Sequence, residues 1–399
     1  MSRRYRIGRG VFAEADPAFG AILAQAYRTR QRPLCLCCDK QAAMYIARIG
    51  EQFLVKRMPL SGAEHDRQCQ SYEPPYELSG LGTLIGGAIQ LDPTNGMAAL
   101  KLDFPLSKRG AQMAAGACAE NEGPVRNGIK KLSLRSLLHY LWHQGGLTEW
   151  TAHWAGKRHW YQVRSHLLDA AATMTVKGAL LTDRLFIPEN FRLVDKAGIE
   201  QRRAVALADI YAPAAGRRKL MLLVGEVKEI ASARSGQKII VKHMPGCPFI
   251  IDDSAWRRLQ SRYGAELELW HANDGFHLIV IATFGMKQSG LAIVDEISLM
   301  SVTEQWIPIE NVYEQRLVET LSRLSLKSVK GLRFNLSKAQ PIAAATLPHR
   351  RPSPAALYIV PADADEGFEV ALAEMIAASP DVEPWTWRVA EGEMPALPL

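Results

Sequence analysis

The sequence predicts a mixed α+β and α/β protein, and three observations carry that prediction. Four of the six cysteines and a histidine gather around an alternating hairpin near the N-terminus, two tryptophan-rich helical stretches follow, and from Leu180 onward strand-like runs alternate with helical ones. At 399 residues and 48% hydrophobic content the chain has material for about two or three domains with real cores. No apolar run approaches the roughly 18 residues a membrane span needs, and the basic start MSRRYRIGRG leads into no apolar signal segment, so a cytoplasmic, non-membrane protein is expected. Six cysteines in so long a chain, four of them in one cluster, do not make a disulfide framework.

Taken in order, residues 1–32 read as a basic arm with one short helix over 17–27. Residues 33–106 read as a zinc-binding β module. Its first hairpin pairs 44–48 with 52–57 around Gly50, and a second spans 84–104 around the Asp92-Pro93-Thr94-Asn95-Gly96 turn. The proline and glycine punctuation at 71–75 and 79–82 cannot continue a helix and reads as an extended connector. Small, polar and glycine-rich residues over 107–128 read as a linker.

Within this module, Cys35, Cys37 and Cys38 precede the first hairpin, and His65 and Cys69, at H-x3-C spacing, follow it. Zinc takes four nitrogen or sulfur ligands tetrahedrally, and ligand pairs on both sides of a short hairpin hold together modules with little core. Either Cys35 with Cys38 or Cys35 with Cys37 supplies the first pair, leaving one thiol spare. Nothing in the pattern leaves an open coordination position, so the expected Zn2+ is structural. The competing reading is buried free thiols, which pack as small hydrophobes.

Residues 129–178 read as a helical unit. Ser133 caps a helix with Leu134, Leu137, Leu138 and Leu141 on one face, and Gly145-Gly146 ends it. A second helix buries Trp160, Val163, Leu167, Ala170, Ala171 and Met174. Seven Lys/Arg against the single acid Glu149 lie between Gly123 and Leu168, interleaved with aromatic residues. Arg135, Lys157, Arg158 and Arg164 are therefore candidate nucleic-acid contacts on a helix-turn-helix-like unit; the alternative puts the tryptophans in a core and the charges on a solvated face.

Residues 180–300 read as an α/β domain. Strands at 204–211 and 220–230 are expected to pair antiparallel. Asp252 or Asp253 caps a helix that Gly264 stops, and 276–284 is a buried strand. In this setting Glu226-Val227-Lys228 places Glu226 and Lys228 on one strand face, with Asp209 on the preceding strand. That layout resembles PD-(D/E)xK nucleases and a restriction-endonuclease-like core, in which two carboxylates hold Mg2+ and the lysine serves the attacking water. The competing reading is a solvated strand face with cross-strand ion pairs. Residues 301–399 form a C-terminal α/β region with a helix at 309–324, a strand at 356–360, a helix at 368–378 and an acidic tail.

Charge is unevenly spread: net +7 overall, +6 over residues 1–72 and −8 over 361–399. A basic body with an acidic end points to nucleic acid as partner.

CLC at 35–37, MYIAR at 44–48, KRMP at 56–59, the H-x3-C pair, SYEPP, SGLG, the tryptophan-rich helices, GEVKE at 225–229, W-x-P-x-E at 306–310 and KGLRFN at 330–335 stand together over nearly the whole chain. In these the sequence resembles the bacterial proteins grouped as domain of unknown function 1173. The resemblance implies that CLC is the first ligand pair, favouring Cys35 and Cys37, and it implies a setting of plasmids and integrated elements, with a protein partner there. Two functions follow from the sequence. One is a non-catalytic, zinc-stabilised, nucleic-acid-associated accessory protein of mobile elements; the other is a divalent-metal nuclease, intact or degenerate, using Asp209, Glu226 and Lys228.

Overall fold

A computed structural model describes residues 3–49, 52–58, 60–92, 96–109, 131–211 and 217–398. Among them are seven α-helices and several separate sheets, a mixed α+β architecture.

The N-terminal residues do not form a free arm. Strands β1 (Arg4–Ile7) and β2 (Gly10–Ala13) and helix α1 (Phe19–Arg28) belong to the same unit as β3 (Leu34–Cys35), β4 (Ala42–Ile49) and β5 (Gln52–Arg57), in the sheet order β2-β1-β3-β4-β5. Alternation on β1 buries Tyr5 and Ile7 and turns Arg4 and Arg6 outward. Phe19, Leu23 and Ala26, at helical spacing, close α1 over the core that also holds Cys35, Met44, Cys69 and Tyr72. The β4–β5 hairpin pairs Met44 with Arg57 and Ile49 with Gln52; the turn residues Gly50 and Glu51 lie outside the described residues.

In the next region, strands Ile89–Leu91 and Ala98–Leu100 pair antiparallel, and the second also pairs parallel with Met174–Val176, which fastens the module to the helical unit. Residues 93–95 of the expected turn are outside the described residues. Of the expected linker, Ser107–Arg109 is a strand paired with Arg217–Lys219, and the rest lies outside them too.

Helices α2 (Leu134–Gln144) and α3 (Trp160–Ala171) form as their patterns require, with the Ser133 hydroxyl accepting from Ser136 N–H. Their tryptophans are core. Trp142 donates its indole N–H to the Trp306 carbonyl and Trp160 to that of Pro188, so each polar edge is satisfied where the ring is buried.

Residues 204–211 are not a strand. They finish helix α4 (Lys196–Leu207) and a 3-10 turn, Ala208–Ile210. A short apolar run does not distinguish strand from helix, and the polar residues from Lys196 onward supply the helical length that decides it. Only Ile199 and Leu207 of α4 bury, while Val205 is 73% exposed.

The strands that follow are β6 (Met221–Ser232), β7 (Gln237–Val241), β8 (Phe249–Ile251), β9 (His277–Met286) and β10 (Ala292–Val302), with α5 (Asp253–Ala272) between β8 and β9. β6 pairs antiparallel with β9 over 221–226 and with β7 over 227–232, β7 with β8, β9 with β10, and β8 runs parallel to β10. The five strands therefore close into a ring, where a restriction-endonuclease-like core has an open mixed sheet. Leu223, Val227, Ile239, Phe249, Val280 and Phe284 fill its interior. Leu222, Val224, Ile279 and Ile281 point the other way, into the core of α2 and α3. Asp252 caps α5, but Gly264 does not stop it. The helix bends at Tyr263 (φ −115°, ψ 27°) and continues, because Glu266, Leu267 and Leu269 extend its buried face.

Helix α6 (Val312–Arg323) leads into a C-terminal sheet of β11 (Ser328–Lys330), β12 (Ala343–Leu347), β13 (Ala355–Val360) and β14 (Glu383–Arg388), with Glu149–Trp150 at its far edge. β13 and β14 are parallel, and α7 (Glu366–Ala377) is the crossover between them.

Candidate metal centre

Cys35 closes β3 and is held between two neighbours, opposite Tyr5 of β1 and Ala42 of β4. The chain then turns through Cys37 and Cys38, closed by Gln41 N–H on the Cys38 carbonyl. The second loop begins after β5 with a 3-10 turn, Gly62–Glu64, followed by His65 and a turn in which Cys69 N–H bonds the Asp66 carbonyl. Gly62 allows the close approach: a Cβ there would lie 2.6 Å from Glu73 Cβ. Arg57 on β5 pins this loop, bonding the Ser71 carbonyl and pairing with Glu73 at 2.5 Å.

The two loops bring Cys35, Cys37, His65 and Cys69 together, with ligand atoms all within 4.8 Å of one another. Cys35 Sγ and Cys69 Sγ are 3.8 Å apart; His65 Nδ1 is 3.4 Å from Cys37 Sγ and 3.7 Å from Cys69 Sγ. Tetrahedral zinc with Zn–S of about 2.3 Å and Zn–N of about 2.0 Å has edges of about 3.8 Å between sulfurs and about 3.5 Å between sulfur and nitrogen. The spacing fits. Backbone N–H groups of Asp66 and Ser71 reach the sulfurs of Cys37 and Cys69 at 3.4 Å, an arrangement that favours thiolates. Cys38 stays outside the set, its thiol on the Glu64 carbonyl at 3.4 Å. Of the two sequence alternatives, the structure therefore gathers the C-x-C pair.

The electrostatics point the same way. Without a cation, three adjacent thiols cannot share negative charge. The hydrogen bond from Cys35, aided by His65 and Ser71 N–H, pulls the Cys69 pKa down to about 3, whereas its bond to Cys69 and its burial drive Cys35 above its ordinary value. Burial pushes Cys37 up to about 11. A divalent cation at the centre would stabilise all three as thiolates. The four protein ligands are mostly buried and complete a tetrahedron, so the set suits a structural ion better than a catalytic one. It is the one grouping of three or more such ligand atoms among the described residues.

Asp209, Glu226 and Lys228 are not brought together in that way. Asp209 sits on the 3-10 turn after α4, exposed and 2.8 Å from Lys219. Glu226 is 3% exposed and accepts from Lys242 at 2.5 Å and His277 at 2.6 Å. Lys228 faces solvent. A bulge lies between Val227 and Glu229, so Glu226 is buried in its own ion-pair cluster while Lys228, at the bulge, is exposed. Sequence reading missed the actual partners, Lys242 and His277, because they reach Glu226 from other segments, the turn after β7 and the start of β9.

The proposed nucleic-acid contacts are also redistributed. Arg135 is ion-paired with Glu310 in the interior. Arg158 is 5% exposed and donates to the carbonyls of Leu147, Glu149 and Gln305. Arg164 is half-buried on the Ile187 carbonyl at 3.0 Å. Only Lys157 of the four faces solvent fully. Arg135, half-buried, and Arg158, buried, thus spend their guanidinium donors on internal acceptors and not on a solvent-facing surface.

No curated protein and no solved structure matches the chain. A family model described as a protein of unknown function (DUF1173) matches residues 5–390, a span that takes in the ligand loops, the buried helical pair and the closed ring of strands, and the chain belongs to that family.

Proposed function

We propose that this protein is a zinc-stabilised, nucleic-acid-associated accessory protein that acts without catalysis of its own, in the mobile-DNA setting its family resemblance implies. The observation that carries the proposal is the Cys35–Cys37–His65–Cys69 donor set, placed in a module whose outward surface is basic. Arg4, Arg6, Arg9, Arg28, Arg30 and Lys40 are all exposed on that module. A metal would hold the two ligand loops against the sheet that presents these cations, giving a fixed basic face that suits a polyanion. The nuclease reading has no comparable observation in its favour.

Metal analysis of freshly purified protein, together with filter binding to nucleic acid at low and moderate salt, tests the proposal. About one zinc per chain and binding that weakens steeply with salt are expected. Protein without zinc, or without binding at low salt, defeats the corresponding half.

A further inference from the structure

The ring of β6 to β10 has two unlike walls, and we infer that its open wall binds single-stranded nucleic acid. This inference rests on the nucleic-acid reading above and deepens it by assigning the surface and the form of the ligand.

The strand order is β6-β7-β8-β10-β9 and back to β6, with β8 parallel to β10 and α5 between β8 and β9. That order and that helix position are those of the OB barrel, whose second and third strands, with the loops between strands one and two and strands four and five, hold oligonucleotides. Topology alone assigns no function; the side chains have to supply it.

One wall, the first half of β6 with β9, is buried on both faces because its outward residues join the helical core. The other, β7 and β8, turns Lys238, Ile240 and Ile250 outward, none of them fully buried. Ile293 of β10 lies beside Ile250 in parallel register, and Lys238 lies opposite Ile250. The result is a short apolar strip edged by lysine. Two hairpin tips flank it. Residues 233–236 meet one end of β8, where a Cβ on Gly236 would lie 2.0 Å from the Ile251 carbonyl oxygen; residues 287–291 meet the other end, through the pairing of Phe249 with Ala292.

The side chains of Lys238 on the wall, Lys228 at the bulge, Arg234 on the first tip and Lys287 on the second make no hydrogen bond or ion pair among the described residues. The acids nearby are Glu229 on β6, Asp295 on β10, which pairs with Lys108, and Asp252 and Asp253, which follow β8, Asp252 capping α5. Four unpaired cations around a branched apolar strip complement a chain that presents phosphates and bases side by side. A duplex hides its base faces and leaves Ile240, Ile250 and Ile293 nothing to touch, so unstacked strands are the better fit. With no aromatic side chain among these outward positions to single out a base, weak sequence preference is expected.

The test is fluorescence anisotropy of the zinc-loaded full chain with labelled oligo-dT and oligo-rU of about 20 nucleotides and a duplex of the same length. The variant combines Lys228→Glu, Arg234→Glu, Lys238→Glu and Lys287→Glu, with folding checked by thermal melt and zinc content. The wild type should prefer either single strand to the duplex. The variant should lose at least about tenfold in affinity, and the slope of log K against log salt should fall by about 3. A second variant, Ile240→Ser with Ile250→Ser, should weaken single-strand binding while leaving that slope in place. Wild-type preference for the duplex, or unchanged binding by the folded charge variant, overturns this inference and leaves the broader reading standing. No binding of any nucleic acid at low salt removes both.

Discussion

Arg135 on α2 and Glu310 just before α6 form an interior ion pair across 175 residues of chain, and Glu310 also accepts from Arg333 at 2.8 Å. Glu310 is thus the shared anion between two half-buried guanidinium groups that join the helical unit to the C-terminal region. Replacing it with alanine leaves both cations without their partner, a change that costs about 3–5 kcal/mol. Arg135→Ala should destabilise similarly, and Lys157→Ala should stay within about 0.5 kcal/mol of wild type. Urea denaturation of the three variants checks this; an Arg135→Ala protein as stable as wild type would return Arg135 to the list of surface contacts.

The buried His139 should make stability depend on pH. Its Nδ1 accepts from Phe334 N–H at 3.0 Å, and burial, helped by Arg135, pushes its pKa from 6.5 down to about 3. A histidine with a depressed folded pKa stays neutral while the unfolded chain takes up a proton, so its contribution is complete above pH 6.5 and is lost as pH falls toward 3. The slope approaches about 1.4 kcal/mol per pH unit over that window. His143, His243 and His349 are lowered by burial too and act in the same direction. The readout is therefore the difference between wild type and His139→Asn, which keeps an acceptor and cannot be protonated. Denaturation midpoints at pH 7 and pH 5 should converge in the variant, and equal pH sensitivity in both proteins would refute the assignment.

The metal centre separates two adjacent cysteines. Cys37→Ser removes a ligand and should release zinc and loosen the N-terminal module, since structural zinc is worth roughly 10 kcal/mol or more of folding energy in small zinc modules. Cys38→Ser should keep the full metal content, because that thiol bonds only the Glu64 carbonyl. A chelator should mimic Cys37→Ser. Zinc retained by Cys37→Ser and lost by Cys38→Ser would reverse the ligand assignment.

Glu226 should prove structural. Burial alone would raise its pKa, but hydrogen bonds from His277 and Lys242 outweigh burial and hold it below the usual carboxylate range. Glu226→Gln should cost roughly 1–3 kcal/mol, less than for a fully buried pair because Lys242 is partly solvated. The stabilisation is present above the unfolded carboxylate pKa and disappears as pH falls through the lower folded value. Plasmid and single-stranded DNA incubated with Mg2+ or Mn2+ should be cut no faster by wild type than by the variant; cleavage that depends on Glu226 would restore the nuclease reading.

Local features were legible and non-local ones were not. Alternation on either side of Gly50 located the β4–β5 hairpin, a serine before a periodic leucine run located α2, and the cysteine spacing located the ligand loops. The run at 204–211 failed because its helix is set by residues upstream of it. Gly264 misled because a continued apolar face outweighs one flexible residue, and the bulge after Val227 has no composition that announces it. Basic residues near tryptophans suggested a surface, whereas Arg135 and Arg158 serve internal carboxylate and carbonyl acceptors supplied from distant segments. Ring closure depends on β8 meeting β10, a pairing between segments about 40 residues apart that local periodicity does not report.

The division of β6 between two partners also sets an order of events during synthesis. Its second half can zip onto β7 as soon as both have left the ribosome, but the half at 221–226 has an open edge until β9 emerges, and the ring cannot close before β10 is complete at Val302. Translation of the roughly 54 residues from Ser232 to Met286, where β9 ends, takes about 3–11 s at 5–20 residues per second. For that interval the nascent chain displays the MLLVG run with unpaired backbone groups, an invitation to edge-to-edge association. Chains released prematurely between β7 and β9 should therefore aggregate through this segment, and holdase chaperones should bind it in the nascent chain and let go once β9 arrives.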